Sequence, residues 1–299
     1  MSQIRFDGKT AIVTGGGGGL GSAHAKLLAS RGANVVVNDL GGDVTGHGKG
    51  SSMADKVVAE IRAAGGQAVA SYDSVSDMAG AQAIVEQAKR AFGGVHILIN
   101  NAGILRDTSF KNLGEDDWDA VFRVHVKGAF CMSKAVWEDF REQNFGRIVM
   151  TSSAAGLYGN FGQANYSAAK MALVGFGQTL ALEGAKNNVL TNVICPVAAS
   201  RMTATILPPE QLAKLNPASV SAFAAYLCSA ESKESGGVFE VGAGRYFHLK
   251  WGRSPGYRSP APDGCPSVEE IREHFAQIKD LSQPQIIRGI AESLESFMS

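Results

Sequence analysis

The strongest constraint on this chain is an alternation that runs through most of its length. Short apolar, β-branched runs at residues 10–14, 35–37, 68–70, 95–99, 147–150, 189–195 and 238–241 each lie between longer stretches of helical periodicity. The helical stretches fall at about 20–31, 52–64, 77–92, 115–143, 164–186 and 219–229. Strand runs that are continuously apolar, without an apolar/polar alternation, are those of strands buried on both faces, as in a parallel sheet covered by helices. The pattern therefore predicts an α/β fold: a doubly wound, Rossmann-type, seven-stranded parallel sheet with helices on both faces. That domain is expected to occupy residues 1–244. From there Gly244, Gly252, Pro255, Gly256, Pro260 and Pro262 break regular structure, and two amphipathic segments follow at 268–279 and 285–297. The 245–299 segment is too short for a domain of its own. It is expected to be a helical extension packed on the active-site side of the sheet domain or on a neighbouring subunit.

Composition narrows the partners. Lys+Arg and Asp+Glu both number 28, so no net field draws nucleic acid or an anionic membrane. The four cysteines are scattered without a paired spacing, and the six histidines never reach ligand spacing. Reduced thiols and no metal site are the expectation. Residues 1–7 contain no apolar leader core, no run is long enough to span a bilayer, and the final Phe297-Met298-Ser299 is not a Ser-Lys-Leu signal. These features predict a soluble cytoplasmic protein with no membrane insertion.

Three local patterns point to chemistry. Gly15, Gly19 and Gly21 sit between the first strand and the first helix, where missing side chains allow a tight turn and let a pyrophosphate approach the helix N-terminus. Asp39 ends the second strand. A carboxylate there accepts hydrogen bonds from both hydroxyls of an adenosine ribose and repels a 2′-phosphate, favouring NAD over NADP. No Arg or Lys follows Asp39 until Lys49. Tyr166 and Lys170 are four residues apart and share one helix face, where an ammonium is expected to pull a phenol pKa of about 10 toward neutrality and make Tyr166 a general acid/base. By itself such a pair is commonplace. Ser153, at the end of the 147–150 strand, is expected to bring a hydroxyl to the same place.

Together, Thr14-Gly15-x-x-x-Gly19-x-Gly21, Asn100-Asn101-Ala102-Gly103, Ser153 and Tyr166-x-x-x-Lys170 resemble the classical short-chain dehydrogenase/reductase family across residues 6–244. Within it, the stretches 37–43, 72–75, 103–107, 158–166 and 239–244 resemble the (3R)-hydroxyacyl-CoA dehydrogenase unit of the type 2 peroxisomal multifunctional enzymes. The resemblance implies an NAD-dependent enzyme that oxidises a secondary alcohol, with Tyr166 as base, Lys170 lowering its pKa and holding the nicotinamide ribose, and Ser153 bonded to the substrate oxygen. It also implies a cofactor site of Gly15, Gly19, Leu20, Gly21, Asp39, Asp73, Ser74, Val75, Asn101, Ala102, Gly103, Tyr166, Lys170, Ala198 and Ala199. Tyr158 and Phe161 would meet the substrate. The family commonly carries asparagine where this chain has His125, so a proton relay behind the pair is an open question. The substrate expected from the resemblance is an acyl-CoA. A steroid alcohol and the reverse reduction of a 3-oxoacyl group are the alternatives, and a non-catalytic nucleotide binder is disfavoured by the intact Ser153, Tyr166 and Lys170. Arg245, Lys250, Arg253 and Arg258 lie in a stretch without acidic residues that suits coenzyme A phosphates, and Leu105, Met202, Phe247 and Trp251 are further candidates for an acyl pocket. Family members pair through the helices at 115–143 and 164–186, so a homodimer or homotetramer is expected.

Overall fold

The computed structural model describes residues 2–48, 50–198, 210, 215–261 and 264–298. It separates into two compact units, Met1–His248 and Leu249–Ser299.

In the first unit, β1 (Thr10–Thr14), β2 (Asn34–Asn38), β3 (Gln67–Ser71), β4 (Ile97–Asn100), β5 (Gly146–Thr151), β6 (Val189–Val197), β7 (Val238–Gly242) and β8 (Arg245–Leu249) form one sheet in the order β3-β2-β1-β4-β5-β6-β7-β8. Neighbours from β3 through β7 are all parallel. β1, β4 and β5 are buried along their whole length, which is why their sequences read as unbroken apolar runs. The eighth strand departs from the expected seven. Ala243 and Gly244 both take positive φ (49° and 73°), the signature of a two-residue hairpin turn, so β8 folds back beside β7. Its residues are almost all exposed, so it carries no apolar run to betray it.

The covering helices are α1 (Gly19–Ser30), α2 (Ser52–Ala63), α3 (Met78–Phe92), α4 (Glu115–Phe122), α5 (Gly128–Glu142), α6 (Ala154–Tyr158), α7 (Ala164–Gly184) and α8 (Pro217–Cys228). Local chemistry fixes several of their ends. The Asp77 carboxylate accepts from the Gly80 N–H to start α3, and Gly93 closes it with φ 82°. The single helix expected over 115–143 is interrupted by a π-helical turn, Arg123–Lys127, between α4 and α5. Such turns insert one extra residue and often mark functional positions. Helix α6, five residues capped by Ser153, is too short to show periodicity and was not predicted.

In the second unit β9 (Gly252–Arg253) pairs antiparallel with β10 (Gln285–Ile286), followed by α10 (Ile290–Met298), with α9 (Val268–Ile278) between the strands. The expected helix over 285–297 thus begins later, because residues 285–286 pair with β9. Ser267 caps α9, and the Glu270 carboxylate accepts from the Tyr257 and Ser259 hydroxyls. No helix among the described residues is long and apolar enough to cross a membrane.

Candidate active site

The chain steps from β1 outward to β2 and β3, then crosses back to place β4 on the other side of β1. At such a switch point the loops leaving the two central strands diverge and open a crevice. Here it is a cleft of about 620 Å³. Gly15, Gly19, Leu20, Asp39, Asp73, Ser74, Val75, Asn101, Ala102, Gly103, Ser153, Tyr158, Tyr166, Lys170 and Ala198 all line it. Of the predicted residues, Gly21 and Phe161 do not line it, and Ala199 lies outside the described residues together with Met202. Phe161 is 92% exposed. Leu105 lines the cleft, Phe247 stands exposed on β8, and Trp251 belongs to the second unit.

Gly21 serves the tight turn itself. A Cβ there would overlap the Gly15 carbonyl and come within 2.7 Å of Asn101 Nδ2, so its bareness lets α1 seat against the β1 turn. Gly15, with φ 62°, is similarly confined: its Cβ would lie 2.9 Å from Ala102 Cα. Asn101 fastens the two loops, with Nδ2 donating to the carbonyls of Thr14 (2.9 Å) and Gly15 (3.1 Å). Thr14 Oγ1 accepts from the Asn101 and Ala102 N–H groups in return. Helix α1 starts at Gly18 without a side-chain cap and without acidic residues in its first turn. Its N–H groups and dipole are therefore available to an anion in the cleft. Asp39 is held from both sides, Oδ2 by the Gly17 N–H and Oδ1 by the Gly41 N–H, each at 2.8 Å. A carboxylate has about four acceptor positions, so the fixed oxygens can still accept from a diol. The groups present fit a dinucleotide: bare backbone where phosphates pass, and an oriented carboxylate where a ribose ends.

At the other end of the cleft Ser153 ends the β5 segment, and Tyr166 and Lys170 lie on α7. Ser152 Oγ donates to the Lys170 carbonyl (2.7 Å) and Lys170 Nζ to the Thr151 carbonyl (2.6 Å), locking helix to strand. Lys170 Nζ stands 5.4 Å from the Tyr166 ring centroid. Burial drives both groups toward neutrality. It lowers Lys170 to about 7 and raises Tyr166 to about 12, the latter opposed by a hydrogen bond with Ser153. The expected pull of the phenol toward neutrality therefore has burial working against it. Exclusion of water penalises the phenolate more than Ser153 relieves it, and the lysine spends its bond on a backbone carbonyl.

His125, on the π turn, is buried with its ring edge against Tyr166, centroids 5.4 Å apart. Burial lowers it to about 3, so the ring stays neutral at working pH. Its Nε2 meets the Ile104 N–H at 3.0 Å, and the ring covers Gly103, where a Cβ would clash with it. It braces the wall beneath Tyr166. The neutral ring keeps one N–H and one acceptor nitrogen, the same pair of roles a side-chain amide offers a water.

Two features escaped the sequence. Asn160 and Gln163 line the cleft in a chain, Asn160 Nδ2 donating to Gln163 Oε1 (2.9 Å) and Gln163 Nε2 to Asp107 (2.7 Å). Within the glycine-rich stretch 41–50, whose composition by itself suggests a flexible loop, residues 41–48 are folded and contribute Gly42, Asp43, Val44 and Gly46 to the cleft wall. Asp43 followed by Thr45 was the available signal, an aspartate that bonds its own backbone two residues on.

A family model described as short chain dehydrogenase matches residues 9–210. The peroxisomal multifunctional enzyme A of Dictyostelium discoideum is 52% identical over 99% of this chain, which covers 66% of that protein. The solved structure of full-length peroxisomal multifunctional enzyme type 2 from Drosophila melanogaster is 40% identical, with TM-score 0.84 over 99% of this chain and 49% of that one. A 7α-hydroxysteroid dehydrogenase solved with NADH and 7-oxo glycochenodeoxycholic acid is 29% identical, with TM-score 0.72 over 80% of this chain and 95% of that one. The chain thus spans less than two-thirds of the multifunctional relatives it matches.

Proposed function

Because the chain belongs to the short chain dehydrogenase family, we propose that it oxidises (3R)-3-hydroxyacyl-CoA to 3-oxoacyl-CoA with NAD. It is an oxidoreductase acting on a hydroxyl group, with a nicotinamide dinucleotide as cofactor. One observation carries the finer reading: a doubly anchored Asp39 and the Ser153, Tyr166 and Lys170 side chains line one continuous cleft. The carboxylate supports NAD, since a 2′-phosphate would meet a fixed negative charge.

The nicotinamide supplies the hydride acceptor when bound. Ser153 orients the substrate hydroxyl beside Tyr166, and Tyr166 Oη takes its proton as the carbinol hydrogen leaves. With Lys170 near 7 and Tyr166 near 12, the phenolate depends on a charged Lys170 and on the Ser153 bond, pre-placed donors in a water-poor site. The acyl-CoA part of the reading is supported by the relatives named multifunctional enzymes. Arg245 and Arg253 are the cations assigned to coenzyme A, and Tyr158, whose hydroxyl donates to Glu240 at 2.7 Å, is assigned to the substrate side. A hydroxysteroid is the second reading, supported by the relative solved with a bile-acid derivative. Pairing of subunits is supported by the exposed Phe130 and Leu182 on α5 and α7, and sedimentation tests it. A cytoplasmic location stays part of the reading, tested by cell fractionation, although the relatives carry peroxisomal names.

The deciding assay follows formation of NADH or NADPH from 3R- and 3S-hydroxyacyl-CoA with NAD or NADP respectively. Turnover of the 3R substrate with NAD is expected. No product from it, with turnover of a steroid alcohol, refutes the reading. R245A/R253A should raise KM for the acyl-CoA more than for an alcohol lacking coenzyme A, and equal effects would remove the coenzyme A assignment.

A further inference from the structure

Residues 104–108, which follow β4, are each fastened to another part of the cleft wall. The Ile104 N–H donates to His125, and the Leu105 N–H donates to the Val44 carbonyl at 2.9 Å. Arg106 divides its guanidinium three ways: Nε donates to the Thr45 carbonyl (2.6 Å), Nη1 pairs with Asp117 (3.1 Å), and Nη2 lies 3.2 Å from His47 Nε2. Its own carbonyl accepts from Asn165 Nδ2 at 3.0 Å, and Asn165 Oδ1 in turn accepts from the Tyr166 N–H at 2.8 Å. Asp107 holds Gln163, and the Thr108 N–H donates to the Gly162 carbonyl at 2.8 Å.

The partner of Leu105 and Arg106 is a loop with the build of a rigid body. Asp43 Oδ1 accepts from the Thr45 N–H (2.8 Å), the Thr45 hydroxyl (2.7 Å) and the His47 N–H (3.0 Å). The Asp43 N–H donates to the His47 carbonyl, and the base is closed by the Gly50 N–H on the Leu40 carbonyl at 3.0 Å. A self-bonded loop with adjoining ends has the build of an Ω-loop, compact and packed by its own side chains. It springs from the Asp39 end of the cleft, where the Gly41 N–H holds that carboxylate, and reaches across to residues 105–106. A dinucleotide lying from Asp39 to Lys170 passes along the wall this loop forms.

We propose that residues 41–48 are a strap closing over the dinucleotide cleft, and that Arg106 is the positioning residue that latches it and ties its closure to the Asn165–Tyr166 turn. Release at Arg106 frees the strap to admit cofactor. Closure restores the three-way fork and, through the Arg106 carbonyl, the start of α7. Arginine is required because a lysine ammonium is a single point of charge and cannot serve three directions with fixed planar geometry. The proposal rests on the reading that the cleft takes a nicotinamide dinucleotide.

The test combines NADH release, followed by stopped-flow fluorescence, with amide hydrogen exchange of the whole chain. In the wild type, NADH should slow exchange at the Leu105 and Thr45 amides. In Arg106→Met these amides should exchange fast with or without NADH, release should quicken roughly tenfold, and KM for NAD should rise while kcat falls, since affinity changes appear mainly in release rates. Arg106→Lys should fall between. Asp43→Ala, which loosens the strap without touching the latch, should reproduce the release and exchange changes. Wild-type release and exchange in Arg106→Met would overturn the latch. Should that variant not fold, unchanged release in both Arg106→Lys and Asp43→Ala overturns it equally. Wild-type protein that binds NADH with no slowing at residues 45 and 105 overturns the strap alone, whereas wild-type protein that binds no NADH refutes the dinucleotide reading and the strap together.

Discussion

Mild acid should destabilise this protein through two buried histidines that resist protonation. His24 lies on the buried face of α1, and neither ring nitrogen has a hydrogen-bond partner. Burial lowers it to about 4, and lowers His125 to about 3. An unfolded histidine titrates near 6.5, so below that pH the unfolded chain binds protons that the folded chain refuses. Stability is then complete above about 6.5 and is lost as pH falls, levelling only once each folded pKa is reached. Between pH 7 and pH 5 each ring costs about 2 kcal/mol, from the logarithm of the ratio of the two binding polynomials, or about 4 kcal/mol for the pair. For a unit of this size about 1 kcal/mol moves the melting temperature by roughly 2–4 °C, so a fall of about 8–16 °C is expected. His96, half buried and beside Lys9, is also lowered and adds to the trend. The clean measurement is the difference between wild type and His24→Leu, melted by calorimetry from pH 8 to pH 5. The variant should lose about 2 kcal/mol less over that range, with the gap opening below pH 6.5. Parallel curves for the two proteins, or a His24 ring that titrates near 6.5 by NMR in the folded state, would refute the reasoning.

Other expectations follow from the site. Tyr166→Phe keeps the ring against His125 and removes the hydroxyl, so kcat should fall by roughly 10²–10⁴ while NADH fluorescence titration shows binding retained. Lys170→Met removes an ammonium whose burial depresses it to about 7. That cost is complete below pH 7 and fades as pH rises toward the ordinary lysine value, so the variant should be inactive yet melt higher than wild type at pH 6 and lose this advantage by pH 10. Gly21→Ala forces α1 away from the Gly15 turn, and a destabilisation of about 1–3 kcal/mol with loss of NADH binding is expected from denaturant melts and titration.

The line between what sequence and structure each decide runs through particular residues. The parallel sheet was legible because β1, β4 and β5 are buried on both faces, and such strands can only be continuous apolar runs. The glycine turn, Asp39 and the Tyr166–Lys170 pair were legible because each requires a specific residue type at a fixed spacing. Strand β8 was not, since an exposed hairpin partner needs no apolar pattern. The balance of charge was not either: the sequence places a lysine beside a tyrosine, but only packing decides how much water either group keeps, and here burial lowers the lysine and raises the tyrosine. His125 reads as a lone histidine in a helix until the π turn sets its edge on Tyr166 and its Nε2 on Ile104. The 41–48 loop looks like slack chain until Arg106, some sixty residues away, is seen to hold it. Composition and spacing determine which groups the chain owns and the secondary structure that carries them. Which of them meet, and in what state of charge, depends on long-range contacts and excluded water, which no local stretch of sequence records.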